Sequence, residues 1–218
     1  PTMRLHPFIL LAAAMFAPPF AAQAATSFAL DYTVTLRPAS GDALVAIHVG
    51  DGTQVPRMSL TLKPGRQAQL KADGSLVVNG NAAVWEPPAR GGTLTLVARI
   101  NHERRGDGYD AFMDKTWAVF RGDDLVPMVK ARLRKGASSH ATLRFRLPPG
   151  WGSVDTGWIR NPDGSFAIDS AERRFDRPTG WMIAGDLGQR RERFGSTDIP
   201  VSAPKGDAVR RVDLPTFG

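Results

Sequence analysis

Apolar residues recur at every second position through most of this chain, and that spacing confines it to strands with one buried face. Phe28, Leu30, Tyr32, Val34 and Leu36 alternate with small or polar residues. Val45, Ile47 and Val49 repeat the pattern, as do Met58, Leu60 and Leu62. Leu94, Leu96 and Ile100 do so again, with Thr93, Thr95 and Arg99 turned outward. Further strands are expected over Trp117–Arg121, Leu125–Leu133, Ala141–Leu147, Ser165–Ile168, Gly180–Leu187 and Asp198–Ala203. Leu76-Val77-Val78 and Ala83-Val84-Trp85 flank Asn79-Gly80, which predicts a hairpin closed by an Asn-Gly turn. Turn formers punctuate the runs at Pro38–Asp42, Asp51-Gly52, Lys63-Pro64-Gly65, Asp73-Gly74, Pro148–Gly150 and Asn161–Gly164. Helical spacing is nearly absent. Leu125–Arg134 is the ambiguous stretch, and Pro127 tips it toward strand or loop. About a dozen short strands at such intervals predict an all-β fold, an antiparallel β-sandwich. No repeat or linker divides residues 25–218, so one domain is expected, with a soft boundary near Asn101–Asp110.

The exception to the period lies at the start. Met3-Arg4 supplies a positive charge, Phe8–Ala17 an apolar run, and Ala22-Gln23-Ala24 a small-x-small cleavage motif. That is the layout of a signal peptide over residues 1–24. The apolar run is about ten residues, short of the ~20 a spanning helix needs. A helical leader followed by a periplasmic or secreted protein is therefore expected, with no membrane attachment after cleavage. The chain contains no cysteine, so stability outside the cytoplasm must rest on packing and hydrogen bonds.

The formal net charge is +7, carried mainly by arginine. The basic groups are scattered and interrupted by acids, as in Arg190-Arg191-Glu192-Arg193. Nucleic-acid binding would align them along one groove with stacking aromatics. A solvated basic surface is the simpler account, and no nucleic-acid partner is expected.

Catalytic signatures fail on inspection. His102-Glu103-Arg104-Arg105-Gly106 begins like a zinc helix, but Gly106 stands where the second histidine must ligate. His48, His102 and His140 lie far apart, and His6 leaves with the leader. No G-x-S-x-G elbow and no phosphate-cradling glycine loop occurs. Asp107-Gly108-Tyr109-Asp110 and Asp123-Asp124 do not follow the calcium-loop register. A pair of carboxylates distant in sequence stays open for glycoside hydrolysis, though no pair stands out. Thus no catalytic residue, no metal ligand and no cofactor is assigned to this chain.

The most distinctive stretch runs from Arg173 to Gly188, where Phe175, Asp176, Arg177, Pro178 and Trp181 surround a bend between two strands. In a binding role, Arg177 and Trp181 form a platform for a peptide, a sugar or a neighbouring domain, with Asp176, Trp158 and Tyr109 beside them. In a structural role, Trp181 anchors the core and Asp176 bonds loop amides or pairs with an arginine. The structural role is the simpler one. Trp151 and Trp158, flanking Gly152–Gly157, admit the same two roles.

Three segments together resemble the N-terminal domain of the glycyl aminopeptidase-like, PDZ-containing zinc metallopeptidases. They are Trp117-Ala118-Val119-Phe120-Arg121-Gly122, Ala141–Leu147 running into Pro148-Pro149-Gly150-Trp151, and Phe175-Asp176-Arg177-Pro178 leading to Gly180 and Gly185-Asp186-Leu187. The resemblance covers Phe28 to Ala203. It implies a non-catalytic β-sandwich whose partner is a following catalytic domain or a peptide substrate. It also implies that zinc belongs to that catalytic domain, whose H-E-x-x-H helix has no counterpart here. Two accounts remain open: a piece of a longer chain, for which the start at Pro1-Thr2 and the stop at Phe217-Gly218 speak, or a free-standing periplasmic sandwich that binds carbohydrate or peptide.

Overall fold

A computed structural model describes residues 26–102, 111–195 and 197–204. Before residue 102 the strands are β1 (Thr26–Arg37), β2 (Asp42–Val49), β3 (Arg57–Thr61), β4 (Gln67–Ala72), β5 (Ser75–Asn79), β6 (Ala82–Glu86) and β7 (Gly92–Arg99). Next come β8 (Phe112–Met113), β9 (Trp117–Arg121), a single helical turn α1 (Gly122–Leu125), β10 (Met128–Arg132) and β11 (Ala137–Arg146). The rest are β12 (Ser153–Thr156), β13 (Ile159–Arg160), β14 (Phe166–Ala167), β15 (Trp181–Gly185), β16 (Leu187–Phe194) and β17 (Thr197–Pro204). The expected all-β class holds. The signal-peptide residues 1–24 lie outside the described residues, as does Tyr109. Among the described residues, no helix is long and apolar enough to cross a membrane.

Seven strands form the largest sheet, in the order β13-β14-β11-β1-β2-β7-β4. Two four-stranded sheets follow, β10-β3-β6-β5 and β12-β15-β9-β8, and β16 pairs with β17 as a hairpin. Pairing is antiparallel except between β1 and β11, which run parallel from Thr26↔Ala137 to Thr35↔Arg146. The alternation seen in sequence becomes burial: Leu30, Tyr32, Val34, Val45, Ile47, Leu94 and Leu96 are all 0% exposed. They join Met58, Leu60 and Trp85 of the second sheet and Ala118, Phe120, Met182 and Ala184 of the third in one core. Each large apolar side chain removed from water there contributes roughly 1.5–3 kcal/mol. Two polar atoms taken inside are matched: the Tyr32 hydroxyl donates to Asp176 O at 2.8 Å, and Trp85 Nε1 donates to Asp73 O at 2.7 Å.

Three local departures from expectation have physical causes. The hairpin turn is Gly80-Asn81, because Asn79 pairs with Ala82. Gly80 takes φ +54°, which suits the first position of a two-residue turn. The β4–β7 ladder slips between Ala68 and Lys71, where Gln69 takes φ 53°, so β4 loses the period that would have announced it. Finally, Leu125–Arg134 divides: Leu125 closes α1, Pro127 ends the helical path, and β10 begins at Met128.

Candidate functional site

At the end of β9 the chain passes from Arg121 into Gly122, which has no room for a side chain. A Cβ there would lie 2.8 Å from Pro178 C, Thr179 N and Met182 Cε. The 178–180 bend therefore rests directly on α1, and Gly122 N donates to Gly180 O at 2.8 Å. This contact aims Asp123 at the bend. Its Oδ1 accepts from Arg177 Nη2 at 3.2 Å, and its Oδ2 accepts from Gly180 N at 3.0 Å and from Arg121 Nη2 at 3.5 Å. Arg177 Nη1 donates to Val126 O at 3.1 Å.

Antiparallel pairing of β15 with β9 sets Trp181 opposite Arg121, whose guanidinium lies 6.0 Å from the indole centroid. Trp181 is 48% exposed, so the core-anchor role expected for it is overturned. Its strand neighbours Met182 and Ala184 take the inner face instead. Trp158 is half-buried and donates from Nε1 to Thr179 O at 3.2 Å. Together with Gly157, Thr179 and Gly180, the two indoles line a slot of about 280 Å³. On one side this slot meets a depression of about 540 Å³ lined by Arg121, Asp123, Arg173, Phe175 and Arg177. On the other, Trp181, Val119 and Ile183 face Pro200 and Ser202 of β17 across about 320 Å³. There Ser202 Oγ donates to Asp155 Oδ2 at 2.5 Å. Because neighbouring depressions share lining residues, one tract crosses the outer face of the third sheet.

The structure thus brings Arg177, Trp181 and Trp158 together and sets Asp176 apart. Asp176 is 2% exposed and is not among the lining residues. Its amide donates to Ser139 Oγ at 3.0 Å, and that hydroxyl contacts its Oδ2 at 3.3 Å. Burial pushes the Asp176 carboxyl above the ordinary carboxylate range. Tyr32, which anchors the Asp176 carbonyl, has its phenol pushed far up by the same cause. Among the described residues no arginine lies within ion-pair distance of Asp176, although the Arg173 charge acts on it, and Arg177 turns to Asp123. Trp151 is buried, with Nε1 donating to Lys115 O at 2.9 Å, so it too is structural.

Arg121, Asp123 and Arg173 enter the tract without having been assigned a binding role from the sequence. The signal for Arg121 was weak but present: it ends a strand of the same segment that carries the family resemblance. His48 contacts Thr93 Oγ1, His102 contacts Ile100 O, and His140 pairs with Asp169 at 2.6 Å. These histidines do not converge, and among the described residues no group of three or more His, Cys, Asp or Glu is placed to hold a metal.

No protein-family model matches this chain, and no curated protein matches it. A crystal structure of an aminopeptidase N family protein from Idiomarina loihiensis matches it with TM-score 0.59 and 16% identity. The match covers 83% of this chain and 34% of that one. The chain has the fold of part of an aminopeptidase. The β-sandwich expected from the sequence resemblance and the one seen in this likeness agree at the level of fold. An M1 zinc metallopeptidase from Deinococcus radiodurans gives TM-score 0.43 at 16% identity, over 86% of this chain and 51% of that one. Aminopeptidase A from Legionella pneumophila gives 0.42 at 11%, over 80% and 23%. The chain therefore spans about a third of the length of the Idiomarina protein.

Proposed function

We propose that this chain is an exported, non-catalytic β-sandwich module of the metallopeptidase type, which positions peptide or packs on a zinc-bearing catalytic domain. The observation that carries this reading is the fold likeness: nearly the whole chain matches a minor part of an aminopeptidase-family structure. Zinc does not fit the residues described here, and no chemical step is assigned through it. Export rests on the leader motif in residues 1–24.

A second reading, a free-standing periplasmic binder of carbohydrate or peptide, draws support from the exposed Trp181 and the slot it shares with Trp158. Two measurements separate these possibilities. The purified chain is expected to bind no stoichiometric zinc and to cleave no peptide; either property would overturn the module reading. An in-frame H-E-x-x-H in the gene downstream of Gly218 favours the first reading, and an immediate stop codon favours the second.

A further inference from the structure

The tract carries unbalanced charge at one end. Among the residues lining the 540 Å³ depression are three arginines, Arg121, Arg173 and Arg177, and one acid, Asp123. Asp123 has both oxygens engaged, by Arg177, by the Gly180 amide and by Arg121. Arg177 divides its fork between Asp123 and Val126 O. Arg121 and Arg173 keep capacity in hand. Arg121 reaches Asp123 only at 3.5 Å, and its side chain is 42% exposed. Arg173 is exposed, and its guanidinium joins no hydrogen bond or ion pair among the described residues.

The same depression has an apolar floor of Phe175 and Val129, both packed on the core, and Trp181 stands at its border beneath Arg121. Guanidinium forks match a carboxylate in geometry and charge, which an uncharged sugar lacks. A free phosphate ion would satisfy the arginines and leave the floor unused. A peptide with an acidic side chain beside an apolar one uses both.

We infer that the Arg121–Arg173 end of the tract binds an extended peptide segment bearing a glutamate or aspartate next to an apolar residue. This inference rests on the reading of the chain as a module that receives peptide, and it names the class of peptide. The acid bridges Arg121 and Arg173, and the apolar neighbour lies on Phe175 or Trp181.

The test uses the full chain and a fluorescent, end-blocked pentapeptide Ala-Phe-Glu-Leu-Ala beside its glutamine counterpart, followed by anisotropy. The glutamate peptide is expected to bind about tenfold more tightly, the size of a charge-assisted hydrogen bond. That ratio should fall toward one in Arg121→Gln/Arg173→Gln, and by severalfold in Arg173→Gln alone, where the fold loses only a charge interaction with Asp176. Equal binding of both peptides would overturn the inference, as would a ratio unchanged by the two substitutions. Competition by inorganic phosphate or oligothymidylate as strong as that of the glutamate peptide would also overturn it. If both peptides bind equally and Trp181→Ala weakens both, the acidic specificity fails while the peptide-receiving module stands.

Discussion

Asp123 and Asp124 are adjacent in sequence, yet they serve two regions of opposite character. Asp124 turns inward and is 4% exposed. Lys63 Nζ meets its Oδ1 at 2.8 Å, Arg66 Nη1 faces its Oδ2 at 3.8 Å, and Gln67 Nε2 donates to its carbonyl at 2.8 Å. Gln67 Oε1 in turn accepts from Lys63 N, closing the knot. Asp123 turns outward into a region where the guanidinium groups of Arg121 and Arg173 are open to solvent. A buried polar cluster of the first kind, in which Arg66 and Asp124 Oδ2 attract each other across 3.8 Å, holds strands in place. An open one of the second kind is poised for something outside the chain. One residue of helical turn decides between them, so residue type alone says little about role.

The sharpest way to break this comparison is to remove Asp124. Asp124→Ala is expected to cost about 2 kcal/mol by urea unfolding, below the 3–5 of a fully buried pair because Lys63 is half-exposed. Asp123→Ala should cost about 1 kcal/mol, since it frees Arg177 and the Gly180 amide at a partly exposed site. Equal losses would show that the two regions are alike.

Acid titration sharpens the contrast further. Burial raises the Asp124 carboxyl, but the Lys63 hydrogen bond and charge, with Arg66 and His102, outweigh it and hold the group below the ordinary carboxylate range. Its stabilisation is therefore fully present above that range and is lost as pH falls through the depressed value. Asp176 works the other way. Its folded carboxyl holds the proton more firmly than the unfolded chain does, so stability falls as pH rises from the ordinary range through the raised value. Asp176→Asn should remove that loss near neutral pH and show no advantage in strong acid, as read by urea midpoints at both pH values. The smallest effect belongs to Trp181→Ala, expected within about 0.5 kcal/mol of the parent because the indole lies half outside the core.

The core strands were legible because one parity was apolar and the other polar, as in β1, β2 and β7. Trp181-Met182-Ile183-Ala184 is apolar at both parities, so its sequence cannot say which side faces in; the pairing with β9 decides it. β16, Leu187–Phe194, is too rich in arginine to read as a strand, and its ladder with β17 comes from the backbone. The tract was half visible. Arg177, Trp181 and Trp158 drew notice as aromatic and basic residues around a bend. Asp123 could not, because 54 residues separate it from the arginine it holds. Asp176 drew notice for the right loop, and the Ser170 amide does bond its carboxyl, while its second partner, Ser139, lies far off in sequence on β11.

The parallel ladder between β1 and β11 has a consequence for how the molecule folds. Its central strand has β2 as a neighbour across a short turn on one edge, and on the other edge β11, about a hundred residues away in sequence. Closing so distant a contact is slow. Until that pairing forms, β1 presents an open strand edge, the kind of flank on which wrong pairing starts.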